Sequence, residues 1–185
     1  MKTLFKIISA LFFLVICTRA IAQKTYVTKQ GFMVIKAYSG DSSKSYQFNN
    51  IVVLLDYDNA TVEMGFMLDD NLNGIISSKH FSSEHDVKIT TRLAIPKIET
   101  QTHSNWEFHT EGELLYEEKT YNMTGKGELR HHNGSEVLSC YLMLRLEIGE
   151  GNELVFGSIG KVKELHLFQT VLNQRSLEEL RGDGY

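Results

Sequence analysis

Residues 136–148 have the sequence Glu-Val-Leu-Ser-Cys-Tyr-Leu-Met-Leu-Arg-Leu-Glu-Ile, in which apolar residues occupy every second position. Successive side chains of a β-strand point to opposite faces of the sheet. One predicted face therefore carries only apolar side chains, those of Leu138, Cys140, Leu142, Leu144, Leu146 and Ile148. The other face includes Ser139, Tyr141, Arg145 and Glu147. The stretch predicts a strand with one face buried in an apolar core and the other exposed to solvent.

The same two-residue period recurs from Tyr26 onward, interrupted at intervals by Gly, Asn or Asp. Short alternating runs separated by turn residues indicate antiparallel strands. The predicted strands are 31–38, 46–57, 61–68, 86–95, 106–116, 121–130, 136–148, 153–156 and 162–171. The last one is ambiguous, because Leu165, Phe168 and Leu172 also fit a helical spacing. Asn133-Gly134 predicts a tight hairpin turn before residue 136.

The C-terminal residues predict a short helix. Ser176 is followed three residues later by Glu179, the arrangement of a capping box, and Gly182 would end the helix. The expected fold class is therefore all-β and antiparallel, with a short C-terminal helix. A closed up-and-down barrel and a two-sheet sandwich both satisfy the pattern.

The first 22 residues have the features of a secretory signal peptide. Lys2 and Lys6 precede an apolar run over residues 7–17, and Ala20-Ile21-Ala22 forms a small-residue cleavage site before Gln23. Leu14 to Cys17 resembles a lipoprotein site, but Ile16 is bulky where a small residue is usual. We expect export to the periplasm, cleavage after residue 22, and a single domain over residues 23–185.

Charge and cysteine content exclude several classes of protein. Residues 1–22 contain Lys2, Lys6 and Arg19, so the 19 basic side chains fall to 16 against 23 acidic ones, a net charge of −7. A negative surface repels phosphate backbones, and we expect no nucleic-acid partner. Only Cys140 remains after cleavage, so an internal disulfide is not possible. Its place in an alternating apolar run predicts a buried, inert thiol.

The order of these features resembles the YceI-like family of exported lipocalin-like barrels, particularly its divergent Bacteroidetes members. The residues that carry the resemblance are Ala20 to Gln23, Val27 to Phe32, Phe48 to Asn50, Asp58 to Met64, His80-Phe81, Phe108 to Leu114 and Tyr121 to Leu129. The turn at Glu117-Glu118-Lys119 departs from the Gly-Val-Thr that is usual in the family. So does Asp86-Val87-Lys88, which stands in place of a Lys-Tyr-Pro-like step.

The resemblance implies an antiparallel lipocalin-like barrel around an elongated apolar cavity that takes a polyisoprenoid or similar lipid. It implies neither a catalytic residue nor a cofactor. The candidate ligand-binding residues form the two longest apolar stripes, rows of alternate apolar side chains that we expect on neighbouring strands. These residues are Val62, Met64, Phe66, Leu142, Leu144 and Leu146. The same residues could equally form an ordinary filled core.

No other group of residues in the sequence predicts a catalytic or metal-binding site. The seven histidines lack chelating spacings, since adjacent residues such as His131 and His132 point to opposite faces of a strand. No nucleophile elbow or phosphate-binding glycine loop is present. We therefore expect a non-enzymatic protein without a metal site that binds an apolar small molecule or lipid. The alternative is an envelope protein with a filled barrel, no small-molecule ligand and a protein partner.

Overall fold

The computed structural model describes residues 25–39, 41–68, 86–95, 106–132 and 139–175. Within these residues the chain forms nine strands and one short 3₁₀ helix. The strands are β1 (Thr25–Ser39), β2 (Ser42–Asp56), β3 (Thr61–Phe66), β4 (Val87–Leu93), β5 (Trp106–Tyr116), β6 (Lys119–His132), β7 (Ser139–Ile148), β8 (Leu154–Phe156) and β9 (Gly160–Arg175). The 3₁₀ helix, η1 (Gly157–Ile159), joins β8 to β9.

The strands form one antiparallel sheet that closes on itself. Each strand from β1 to β7 pairs with the next, β7 pairs with β9, and β9 pairs back with β1. Eight of the described strands therefore form a ring, with Tyr26 opposite Gln174 at the closing seam. The short strand β8 pairs with the start of β9, on the edge that β7 occupies further along.

Irregularities in β1 and β9 lie close to the seam. The pairing of β1 with β2 shifts on both sides of Gly31, and the pairing of β7 with β9 shifts between Leu142 and Leu144. Such bulges bend a strand and increase its twist, which helps a sheet to curl until its edges meet. A Cβ atom at Gly31 would lie 2.8 Å from the carbonyl oxygen of Ile51, so the close approach there requires glycine.

Alternate side chains of the ring strands point inward and form one hydrophobic core. Aromatic rings pack together near both ends of the interior. At one end Tyr26 and Tyr57 lie 4.8 Å apart, centroid to centroid. At the other, Phe156 of β8 packs against Phe66 at 6.4 Å and against Tyr116 at 4.9 Å. Phe156 is 1% exposed, so β8 and η1 place an aromatic side chain across that end of the ring.

The antiparallel all-β fold predicted from the alternation is confirmed, and the described strands form one closed sheet rather than two. Residues 162–171 are strand, within β9, and the alternative helical spacing was wrong there. Strand β6 pairs with β7 up to His132 and Ser139, so the predicted hairpin exists. Its predicted turn at Asn133-Gly134, the C-terminal helix from Ser176 and the leader over residues 1–22 lie outside the described residues.

Candidate binding surfaces

The six predicted ligand-binding residues all face the interior. Val62, Met64 and Phe66 lie on β3, and Leu142, Leu144 and Leu146 lie on β7; each is at most 2% exposed. They share one core cluster with residues from the other ring strands. The alternation of the two stretches was thus sufficient to identify which side chains point inward.

We expected the two stripes on neighbouring strands, and this expectation was wrong. Strand β3 pairs with β2 and β4, whereas β7 pairs with β6 and β9. In the ring of eight strands, β3 and β7 are four places apart in either direction. The stripes therefore face each other across the interior. Alternation reports the face of a strand and carries no information on its position in the sheet.

The inner wall also contains a few polar groups. The hydroxyl of Thr110 donates a hydrogen bond to the carbonyl oxygen of Arg92, at 2.8 Å. Thr91, which is directly opposite Val62 in the pairing of β3 with β4, is 1% exposed. Its Oγ1 atom has no hydrogen-bond partner among the described residues. An unpaired buried hydroxyl costs free energy, so Thr91 is an unsatisfied polar group in a mostly apolar wall.

Strand β6 carries two glycines on its inner face. A Cβ atom at Gly127 would lie 2.5 Å from Cζ of Phe108 and 2.6 Å from a Cδ of Leu144. At Gly125 it would overlap the carbonyl oxygen of Arg145 and lie 2.9 Å from a Cδ of Leu146. The space that side chains at these two positions of β6 would occupy is therefore filled by Phe108, by leucines of β7 and by the β7 backbone.

Cys140 and the two tyrosines occupy the end of the interior near the β2–β3 turn. Cys140 is buried, as its sequence position predicted. Burial raises the pKa of its thiol to about 12, although a hydrogen bond with Tyr57 acts in the opposite direction. Burial, together with the nearby Cys140, also raises the pKa of Tyr26 to about 12 and raises that of Tyr57. All three groups are protonated at neutral pH, so none of them is an activated nucleophile.

A second candidate surface is a groove on the outer face of β5, β6, β7 and β9. Its volume is about 520 Å³. Two rows of outward-facing side chains form its walls, and the row between them, from Phe108 through Gly127 and Leu144 to Leu167, points inward. Because those side chains are directed into the core, their backbone atoms form the floor.

One wall of the groove is a basic ladder. Four side chains stand directly opposite one another on successive strands, and these are His109, Lys126, Arg145 and His166. The other wall changes character along its length. It is acidic on β5 and β6, where Glu107 pairs with Glu128, and apolar on β7 and β9, where it consists of Met143 and Phe168.

A charge network supports the β9 end of the basic ladder. The carboxylate of Glu164 accepts hydrogen bonds from Lys36 at 3.1 Å and Arg145 at 3.3 Å, and lies 3.0 Å from Nε2 of His166. Burial acts to raise the pKa of Glu164, but the hydrogen bonds from Lys36 and His166 and the charge of Arg145 outweigh it and lower the pKa overall. Glu164 therefore stays ionised and fixes Arg145 beside the groove.

The sequence did not predict this groove. Outward positions such as Arg145 can be read from the alternation, but a ladder across four strands depends on their register. The signal that was present is the pair of alternating polar residues on each strand, Glu107 and His109 on β5 and Lys126 and Glu128 on β6. It becomes a site only once β5, β6, β7 and β9 are known to be neighbours.

The described part of the chain shows no metal-binding cluster and no membrane-spanning helix. No group of three or more His, Cys, Asp or Glu side chains there could hold a metal ion. Among the same residues no helix has the length and hydropathy needed to cross a membrane. Comparison with family models, with curated proteins and with solved structures finds no match for this chain.

Proposed function

We propose that the protein is an exported, non-enzymatic binding or carrier protein whose ring of strands is a lipocalin-like β-barrel that holds an apolar ligand. A polyisoprenoid or another slender lipid is the ligand class. The observation that carries the proposal is the opposition of the two apolar stripes, because a molecule on the axis of the ring would contact β3 and β7 at once. Barrels of about eight strands can hold one small ligand in this way.

The inner wall suits a long apolar molecule with a weakly polar end. Burial of apolar surface is worth about 25 cal/mol per Å², so a lipid chain needs no charged anchor to bind. The unpaired hydroxyl of Thr91 offers one hydrogen bond to a polar group of the ligand. Because large side chains fill much of the space, binding requires that inward leucines such as Leu144 change rotamer.

Native mass spectrometry of the protein isolated from its own host tests the proposal. We expect an ion whose mass corresponds to the chain from Gln23 onward plus an extractable lipid. Leu142→Phe, which adds volume inside the ring, should reduce the lipid-bound fraction. Glu147→Phe places the same side chain on the outer face of the same strand and should leave that fraction unchanged. Thermal unfolding of each variant shows whether it is folded.

The proposal fails if the folded wild-type protein is consistently free of lipid and, once delipidated, does not take up the neutral dye N-phenyl-1-naphthylamine. Both measurements use the unmodified chain, so they remain informative even if Leu142→Phe does not fold. Retention of residues 1–22 in the isolated protein would contradict the proposed export.

A second candidate function is an envelope interaction protein with a filled interior. The observations that favour it are the close filling around Gly127 and the large apolar side chains exposed on outer faces. Phe168 and Val171 of β9 are 45% and 43% exposed, and Phe32 of β1 lies 5.6 Å from Phe168, ring to ring. A stoichiometric protein partner recovered from envelope extract, together with lipid-free protein, would favour this function over the first.

A further inference from the structure

The outer groove combines three properties that together suit a ligand. It has a volume of about 520 Å³, it has a continuous basic wall, and part of its opposite wall is apolar. Like charges directly opposite each other on neighbouring strands destabilise a sheet. Lys126 stands opposite Arg145, and Glu107 stands opposite Glu128. Neither pairing stabilises the sheet, so pairing within the sheet does not account for the arrangement.

The two halves of the groove differ in their electrostatics. On β5 and β6 the basic wall faces the acidic wall, where the carboxylate of Glu128 forms an ion pair with Arg130. On β7 and β9 the basic wall faces Met143 and Phe168, which carry no charge. Arg145 forms ion pairs with Glu147 at 3.7 Å and with Glu164 at 3.3 Å, so the positive charge of the groove that is not offset is that of Lys126. Lys126 is exposed and has no ion-pair partner among the described residues.

We propose that this groove binds a small amphipathic monoanion, an aromatic or short aliphatic body bearing one carboxylate or sulfonate group. The anionic group contacts Lys126 and Arg145. The apolar body lies along Met143 and Phe168. This site is separate from the interior of the ring, because the inward row from Phe108 to Leu167 lies between them.

The dimensions of the sheet support a ligand of this size. Side chains two residues apart on a strand are separated by about 7 Å, which leaves room for one planar ring or one alkyl chain between the walls. Neighbouring strands are about 4.8 Å apart, so the four strands span about 14 Å. A longer lipid would extend beyond the groove at both ends. The acidic wall near Glu107 repels a second negative charge, so the groove favours monoanions.

The site can be tested with two dyes that share one skeleton. The sulfonate 8-anilinonaphthalene-1-sulfonate and the neutral N-phenyl-1-naphthylamine differ only in the anionic group. Fluorescence titration of the wild-type chain should show saturable binding of the sulfonate dye. Lys126→Gln should weaken that binding by about fivefold or more, equivalent to about 1 kcal/mol. Phe168→Ala should weaken it by a similar factor, and neither variant should change the affinity for the neutral dye.

Matched controls exist on the same outer surface. Arg92→Gln removes an exposed cation on the outer face of β4, and Leu115→Ala removes a 42% exposed apolar side chain of β5; both residues lie outside the groove. Neither should alter the affinity for the sulfonate dye. The proposal is overturned if the wild-type chain does not bind this dye, if either groove variant retains wild-type affinity, or if the controls weaken binding as much as the groove variants do.

Discussion

Single residues of the inner face have their chemistry set by burial, and Cys140 is the clearest case. Its thiol lies in the core beside Tyr57, and burial raises its pKa from 9.0 to about 12. The unfolded chain releases this proton near pH 9, whereas the folded chain retains it. The unfolded state therefore binds fewer protons between these two values, and the free energy of unfolding falls as pH rises through this range.

The size of this effect can be measured with Cys140→Ala. From pH 8 to pH 10 the thiol should reduce the free energy of unfolding by about 1 kcal/mol, because the folded-state pKa lies well above both conditions. Urea unfolding at the two pH values should show a smaller loss of stability for Cys140→Ala than for the wild-type chain, by about that amount. An identical loss in both proteins would show that the thiol is not held in its protonated form by burial.

At the scale of elements, the β5–β6 hairpin shows where a sequence pattern is least informative. Tyr116 pairs with Lys119, so only Glu117 and Glu118 form the turn. Both have positive φ angles, 48° and 62°. Two central residues in this conformation define a type I′ turn, which favours Asn-Gly because most other residues are strained there. The sheet pairing on either side imposes this backbone on two glutamates.

Replacing this turn should stabilise the protein. Glu117→Asn with Glu118→Gly supplies the residues that the turn favours and should raise the free energy of unfolding by about 1 kcal/mol. Glu117→Gln with Glu118→Gln removes the same two charges and leaves the backbone preference nearly unchanged. Chemical denaturation should place the Asn-Gly variant above both the wild-type and the Gln-Gln variant. Equal stability of the two variants would indicate that the gain comes from charge and that the turn is not strained.

The ends of several strands, and the faces on which their side chains lie, could be predicted because both depend on local sequence. Strand β5 begins and ends where predicted, at Trp106 and Tyr116, because alternation and turn residues are local signals. Strand β6 extends to Lys119, beyond the predicted start at residue 121, because pairing with β5 continues up to the turn. The direction of a side chain is likewise set by local alternation, which is why the inward direction of all six candidate lining residues could be predicted.

At the scale of the whole molecule, the contacts that close the sheet are the hardest to predict from a single sequence. The seam joins β1 to β9, with Thr25 opposite Arg175 at one end of the described pairing and Tyr38 opposite Lys161 at the other. No local pattern links residues so far apart in the chain. The basic ladder of the outer groove also depends on strand pairing, since β9 pairs with β7 past the intervening strand β8. The face on which a side chain lies is thus predictable from the two-residue period. Its neighbours across the sheet depend on which strands pair.

Hydrogen exchange tests the closure directly. Residues 33–38 of β1 pair with β2 on one edge and with β9 on the other, so consecutive amides should both be protected. Residues 42–48 of β2 pair with β1 only, among the described strands, so their protection should alternate along the strand. We expect the unprotected amides of 42–48 to exchange at least about a hundredfold faster than their neighbours, as for backbone groups that open to solvent without unfolding.

Residues 110–114 of β5 provide the internal standard, because β4 and β6 pair with them on both edges. Amide exchange followed by NMR should give residues 33–38 the same uninterrupted protection as this segment. If protection in 33–38 alternates as it does in 42–48, β9 does not cover the second edge of β1 and the sheet is open at the seam. The apolar stripes of β3 and β7 would then face a cleft open to solvent, and the basis for enclosing a lipid between them would be lost.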